Sequence, residues 1–320
     1  MSPLLAVRDL TVSYATPRGM ARVVDDMSFD VDAGQVVALV GESGCGKTTL
    51  ALALLRLLPQ PPAHIDARSR VQYGNVDLLS LSAEDLRRYR GGEIAYVFQD
   101  PGASLNPVMT IGAQVAEAVR LHHGLSRRAS RERAVELLAT VGLPDAAARA
   151  NDHPHELSGG MKQRAMIAMA LAGDPKVLIA DEPTTALDVT IQARILDLLV
   201  EIKRRLGMAI LLITHNLGLV AEVADRVLVM YAGRLVEEAS VPSLFRRPAH
   251  PYSEGLLRAT PNLHQPPARL RAIPGAVPDP LDWPTGCRFH PRCPHAWEEC
   301  RRNEPEILEE LGDVDILIIP

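Results

Sequence analysis

An α/β fold is what this sequence predicts: a mainly parallel sheet with helices on both faces, preceded by an antiparallel β-subdomain, interrupted by a helical insertion and followed by a proline-rich segment. Short apolar runs of strand length (residues 36–40, 177–181, 209–214 and 227–231) alternate with stretches of helical periodicity (50–58, 191–206 and 217–223). Such alternation builds parallel sheets covered by helices. From about residue 101 to 173 the pattern becomes mostly helical, with helices expected over 111–123, 131–141 and 159–172. Beyond about residue 240 prolines recur, from Pro248 to Pro294. That composition predicts an extended appendage held by local contacts, with no helical or sheet core of its own.

The elements follow in order. Residues 5–14 and 28–31 carry alternating or β-type side chains and read as antiparallel strands. VVALV at 36–40 is uninterrupted and apolar, the mark of a strand buried on both faces. The helical run behind it is expected to close at Pro59, with Gln60, Pro61 and Pro62 as a stiff exit. No segment repeats, so the chain holds one such module rather than two in tandem.

Composition narrows the class. The 320 residues (34.8 kDa) can bury a large core and divide into two or three units. A net charge of -5 with 4% aromatic residues argues against a nucleic-acid surface, which favours basic charge and stacking rings. The densest basic run, residues 127–133, reads as a solvated helix face. No stretch approaches the ~20 apolar residues that span a bilayer, and the first residues lack a secretory signal pattern. The expectation is a cytosolic chain that meets membranes only through partners, and whose four cysteines do not form structural disulfides.

The motifs carry chemistry. GESGCGKTT (Gly41, Glu42, Ser43, Gly44, Cys45, Gly46, Lys47, Thr48 and Thr49) lies between the buried strand and a helix. Glycines allow a tight turn whose N–H groups point at an anion. Lys47 is expected to reach the outer phosphates of a nucleotide, and Thr48 to offer a hydroxyl to Mg²⁺. Cys45 occupies a position where a small side chain suffices. VLIADEP ends a second buried strand in two acids, costly without a cation. Asp181 suits Mg²⁺, and Glu182 suits the base that prepares water for attack on the γ-phosphate. Gln99, after IAYVF, is placed to contact Mg²⁺ or that water, and His215, after ILLIT, to donate to the γ-phosphate. LSGGM (Leu157, Ser158, Gly159, Gly160 and Met161) opens a helix as a second anion-binding terminus. One nucleotide is already served by the first loop, so the second cradle implies a second chain.

With Asp188 in TALD as a D-loop, these motifs in this order resemble the ATPase subunit of an ABC transporter over roughly the first three quarters of the chain. The resemblance implies a P-loop NTPase (RecA-like) core and an ATPase domain over residues 1–245, with a helical subdomain at about 101–173. It also implies that Tyr14 stacks on adenine, the alternative being a core tyrosine. Two such subunits would close head to tail, each ATP lying between one P-loop and the other's LSGGM. Three further segments, QDPGASLNPVMTIG, HPYSEGLLRATP and GCRFHPRCPHAWEEC, resemble dipeptide and oligopeptide importer ATPases, with nickel importers sharing much of the tail over 246–320. The implied assembly has a second ATPase, in this family often non-identical to the first, two integral membrane permeases and an extracytoplasmic binding protein, with this chain peripheral on the cytoplasmic face of the inner membrane. A soluble relative acting on nucleic acid or ribosomes would carry a coiled-coil insertion or tandem modules, and this chain has neither.

Cys287, Cys293 and Cys300 crowd one proline-rich stretch. Some family members with this tail resemble iron–sulfur proteins holding a 4Fe–4S cluster on four cysteines. Here no cysteine follows Cys300, so a fourth ligand would be His290, His295, a late carboxylate, water or a neighbouring chain. Zinc in a Cys₃His site, or no metal, are the alternatives.

Overall fold

The computed structural model describes residues 2–185, 187–260, 272–308 and 316–318. The chain packs as two compact units, one from residues 1–79 with 213–320 and one from 80–212.

In the first unit, strand Leu5–Thr16 pairs antiparallel with Gly19–Val31 on one side and with Ala63–Ile65 and Arg70–Tyr73 on the other. The first ladder is irregular near Asp9 and Asp26, both in the left-handed region. Side chains serve the backbone amides freed there: Asp9 N–H donates to Ser28 Oγ (2.9 Å), and Asp26 N–H to Thr11 Oγ1 (3.0 Å). Strand Val36–Val40, buried at every residue, pairs parallel with Arg226–Tyr231, which turns back antiparallel into Arg234–Ser240. Continuous burial explains why 36–40 shows no alternation.

The second unit sets strands Ile94–Val97 and Val177–Asp181 parallel, with Ala209–Ile213 beside them. Around these lie helices Ile111–His123, Arg127–Thr140, Gly159–Ala170 and Val189–Leu206. Each begins on a residue whose side chain accepts from the first turn (Thr110, Ser126, Ser158 and Asp188), which satisfies an amide that helix geometry leaves orphaned. Ser126 explains why the second of these helices starts four residues before the expected 131. Its Arg128 and Arg133 pair with Glu132 and Glu136 on a solvated face, as the charge pattern anticipated. Among the described residues no helix is long and apolar enough to cross a membrane.

Two expectations need correction. The helix behind the glycine-rich loop covers Lys47–Leu54 and stops short of Pro59. Arg56 adopts a left-handed conformation, and Leu57 N–H reaches back to the Leu52 carbonyl at 2.8 Å, so a Schellman turn closes the helix before any proline is met. The C-terminal segment is also more regular than its prolines suggested. It contains helices Val241–Arg246 and Pro251–Ala259, each with proline in its first turn, where the missing N–H costs nothing. Nor is it held by local contacts alone. Tyr252 (0% exposed) and Phe289 (2%) join Val40, Val229 and Tyr231 in one core cluster. The Phe289 ring lies edge-on to Tyr231 and Tyr252, at 5.2 and 5.4 Å between centroids. Pro261, Pro266 and Pro267 lie outside the described residues.

Phe289→Ala should accordingly destabilise the first unit by about 3–5 kcal/mol, the usual loss on emptying an aromatic core site. Thermal unfolding checks this, and an unchanged melting curve would show the segment to be peripheral.

Candidate nucleotide site

The glycine-rich loop leaves strand Val36–Val40 in a space that side chains could not share. A β-carbon on Gly41 would come within 2.2 Å of the Met230 carbonyl oxygen. One on Gly46 would meet the Val23 carbonyl at 2.7 Å, and Gly46 also has a φ of 110°. Gly46 caps the following helix without a side chain, so the positive end of that helix faces the loop with no competing carboxylate or hydroxyl cap. Lys47, 6% exposed, donates from Nζ to the carbonyls of Gly41 (2.8 Å) and Glu42 (3.0 Å). Its ammonium thus crosses the loop and holds its mouth in shape. Cys45 is buried, its thiol pushed up by desolvation against the opposing pull of Lys47, which fits the packing role expected of it. Ser43, Gly44 and Thr48 are exposed and Thr49 half-buried. The cradle therefore suits an anion at its open side.

Glu42 sits otherwise than a phosphate contact would suggest. Its carboxylate takes both terminal nitrogens of Arg292 at 2.6 and 2.9 Å, and its N–H donates to the Tyr252 hydroxyl at 2.8 Å. Tyr14, half-buried and paired with Ala21 on one side and Ala63 on the other, is not enclosed as a core tyrosine would be. His215 is exposed just after strand Ala209–Ile213, and Asn216 beside it caps helix Leu217–Val223.

In the second unit the structure brings Gln99, Asp181 and Glu182 to the ends of neighbouring strands. Asp181 is 2% exposed and accepts from the Tyr96 hydroxyl at 2.9 Å. Burial and the Asp181 charge push the Tyr96 phenol upward, which keeps it a neutral donor. Glu182 Oε2 accepts from Thr185 Oγ1 (2.7 Å) and Gln99 Nε2 (3.2 Å), which fixes the carboxylate plane. Its backbone is left-handed, with φ 46°, which turns its side chain away from that of Asp181. Sequence reasoning missed Tyr96 and Thr185; a tyrosine two residues before the strand-end Phe98-Gln99 pair was the available signal. Asp188 is committed in part to capping, accepting from Ile191 N–H at 2.9 Å.

The LSGGM residues divide. Leu157 and Gly160 are buried, and a β-carbon on Gly160 would press Ile191 Cγ2 at 3.0 Å. Ser158 and Gly159 are exposed, with Ser158 Oγ accepting from Met161 N–H at 3.4 Å. This uncrowded helix start is the surface a second anion would meet.

Cys287, Cys293 and Cys300 line a common cavity with His250, His290 and His295. Yet among the described residues no group of three or more His, Cys, Asp or Glu side chains is arranged to hold a metal ion. Burial pushes Cys287 up to about 11 and Cys293 upward too. The late carboxylates after residue 308, candidates for a fourth ligand, lie outside the described residues.

Known proteins share these features. The family model described as ABC transporter matches residues 24–185, and that for the oligopeptide/dipeptide transporter, C-terminal region, matches 236–300. Over 304 residues the chain is 51% identical to a putative peptide import ATP-binding protein of Brucella abortus, covering 95% of this chain and 91% of that one. It is 48% identical to the dipeptide transport ATP-binding protein DppD of Haemophilus influenzae, covering 95% and 92%. The solved dimer of the ATP-binding cassette MJ0796 with ADP and Pi superposes with a TM-score of 0.66 at 27% identity, covering 74% of this chain and 98% of that one. For cbiO1 of Clostridium perfringens the values are 0.65, 29%, 77% and 92%.

A thiol held up to about 11 is protonated at neutral pH, so Cys287 should resist iodoacetamide there and become reactive only as the pH nears that value. Mass spectrometry of the alkylated peptide reads this directly. Rapid modification at neutral pH would contradict the buried placement of the thiol.

Proposed function

Because the chain belongs to the ATPases of ABC transporters, in the branch that carries the oligopeptide/dipeptide transporter C-terminal region, we propose that it hydrolyses ATP to drive uptake of di- and oligopeptides. The single observation behind this reading is the joining, in one chain, of an intact cassette over residues 24–185 to that C-terminal region over 236–300. The names of the curated relatives favour peptides over nickel. The ATPase domain is taken as residues 1–245, with its helical subdomain at about 101–173, and the importer-type appendage as 246–320.

In this reading Tyr14 stacks on adenine. In the loop of residues 41–49, the amides of residues 43, 44 and 46–48 and the Lys47 ammonium hold the β- and γ-phosphates, the Glu42 N–H being given to Tyr252. Thr48, Asp181 and Gln99 are the residues that would hold Mg²⁺, which offsets phosphate charge when bound. Glu182, its plane fixed by Thr185 and Gln99, accepts the proton of the water that attacks the γ-phosphorus as the bond to the β-phosphate oxygen breaks. His215 donates to the transferring phosphoryl group. Ser158, Gly159 and Gly160 present their helix start to the ATP of a second ATPase subunit, with Asp188 at the same interface. ATP favours closure through its higher affinity for the closed pair, and loss of phosphate removes the anion that joined the halves. With no membrane-crossing helix among the described residues, attachment to the cytoplasmic face falls to two permease subunits, fed by an extracytoplasmic binding protein. An iron–sulfur cluster has no part in this reading, since the described residues present no group arranged to hold one.

Glu182→Gln keeps the shape of the side chain but cannot take a proton. It should retain ATP binding while lowering turnover by at least about 100-fold, in the range for a lost general base. Near-normal steady-state hydrolysis by a complex so altered at each such site would remove Glu182 from this role. The assembly itself is tested by affinity purification from detergent-solubilised membranes. Two integral membrane proteins should accompany the chain, and their loss of peptide uptake on its deletion completes the test; recovery of ribosomes or nucleic acid instead would sink the importer reading.

A further inference from the structure

The loop at residues 41–48 is shaped by more than its own strand and helix. Two residues from the far end of the chain grip it at Glu42. Tyr252, fully buried, opens helix Pro251–Ala259, and its hydroxyl accepts the Glu42 N–H at 2.8 Å. Arg292, 8% exposed, meets the Glu42 carboxylate as a fork, donates from Nε to the Pro274 carbonyl at 2.7 Å and lies 5.7 Å over the Tyr231 ring. A third residue of the same segment supports the loop from behind. Arg288 donates to the Ala232 carbonyl at 2.6 Å, and the next residue, Gly233, gives its N–H to the Cys45 carbonyl at 3.0 Å.

We propose that Tyr252 and Arg292 are positioning residues for nucleotide binding, acting through Glu42 to hold the phosphate loop in its binding shape. The inference rests on the reading of that loop as the ATP site. Two physical effects point the same way. A cradle of backbone amides binds an anion only while its amides stay aimed within a fraction of an ångström, and glycine-rich backbone has few side chains to fix it. Tyr252 and Arg292 pin both the main chain and the side chain of the loop residue after Gly41. Charge is the second effect. A lone carboxylate on the loop would repel phosphate, and the bidentate guanidinium cancels that charge while being itself immobilised by Pro274 and Tyr231. The Glu42 contact holds the Arg292 guanidinium firmly in its charged form.

The test measures binding of the non-hydrolysable ATP analogue AMP-PNP with Mg²⁺ by calorimetry on the full chain. Tyr252→Phe keeps the ring in the core and removes only the acceptor. It should weaken binding roughly tenfold, as expected when a partly buried amide loses its partner, with little change in melting temperature. Arg292→Gln should weaken binding at least as much, because it leaves Glu42 charged and unheld. Adding Glu42→Gln to that variant should then recover part of the affinity, which a merely structural role for Arg292 would not produce. Lys47→Ala serves as the reference. If it binds the analogue normally, the ATP-site reading fails and the inference falls with it. If Lys47→Ala loses binding while Tyr252→Phe binds normally, or while the double variant is no tighter than Arg292→Gln, the ATP site stands and the brace is overturned.

Discussion

Everything at the nucleotide site hangs on how strand Val36–Val40 ends. The strand is buried on both faces, so the chain can leave it only through a turn that passes hard against the neighbouring strand. At Gly41 the clearance from the Met230 carbonyl is too small for any β-carbon. That closeness fixes where the loop leaves the sheet, and the helix from Lys47 follows at once. Substituting a larger residue at Gly41 would have to move the loop or the Arg226–Tyr231 strand, which also carries Tyr231 of the aromatic cluster. Packing behind the loop and binding in front of it are consequently one problem.

The second unit solves a different problem, the placing of two acids side by side. Asp181 and Glu182 are adjacent, but the left-handed backbone at Glu182 turns their side chains to different partners. Asp181 faces a phenol donor, while Glu182 faces a hydroxyl and an amide. The left-handed backbone at Glu182 is what separates the two carboxylates within a single peptide step.

Much of this was legible in the sequence, and the reasons are local. The strand–loop–helix at residues 36–54 and the capped helix from Ser158 depend on neighbours within a few positions, so periodicity and capping rules reach them. The interactions that escaped are long-range or conformational. Tyr252 and Arg292 meet Glu42 across sequence separations of 210 and 250 residues, and nothing in their immediate surroundings marks them as partners of that loop. The cysteines flanking Arg288 and Arg292 are conspicuous in the sequence because spacing is a local pattern, whereas a distant ion pair leaves none. Arg56 illustrates the conformational case: helix-ending turns are expected at glycine, and an arginine gives no such warning. Proline misled in the opposite direction, since at Pro242 and Pro251 it starts helices rather than preventing them.

The discontinuity of the first unit has a consequence for biosynthesis. Residues 80–212 form one unbroken stretch, so its internal contacts are all available once residue 212 has been made. Those of the first unit are not, since strand Val36–Val40 must wait for its parallel neighbour: Val36 N–H bonds to Asp225 Oδ2, 189 residues later. The phosphate loop waits longer still, for Tyr252 and then Arg292. During synthesis an apolar strand and an unbraced glycine-rich loop therefore stand exposed while most of the polypeptide is still being made. The nascent chain is in this sense built from the middle outward, with its first unit finished last, and that interval is when a chaperone holding the amino-terminal segment would matter most.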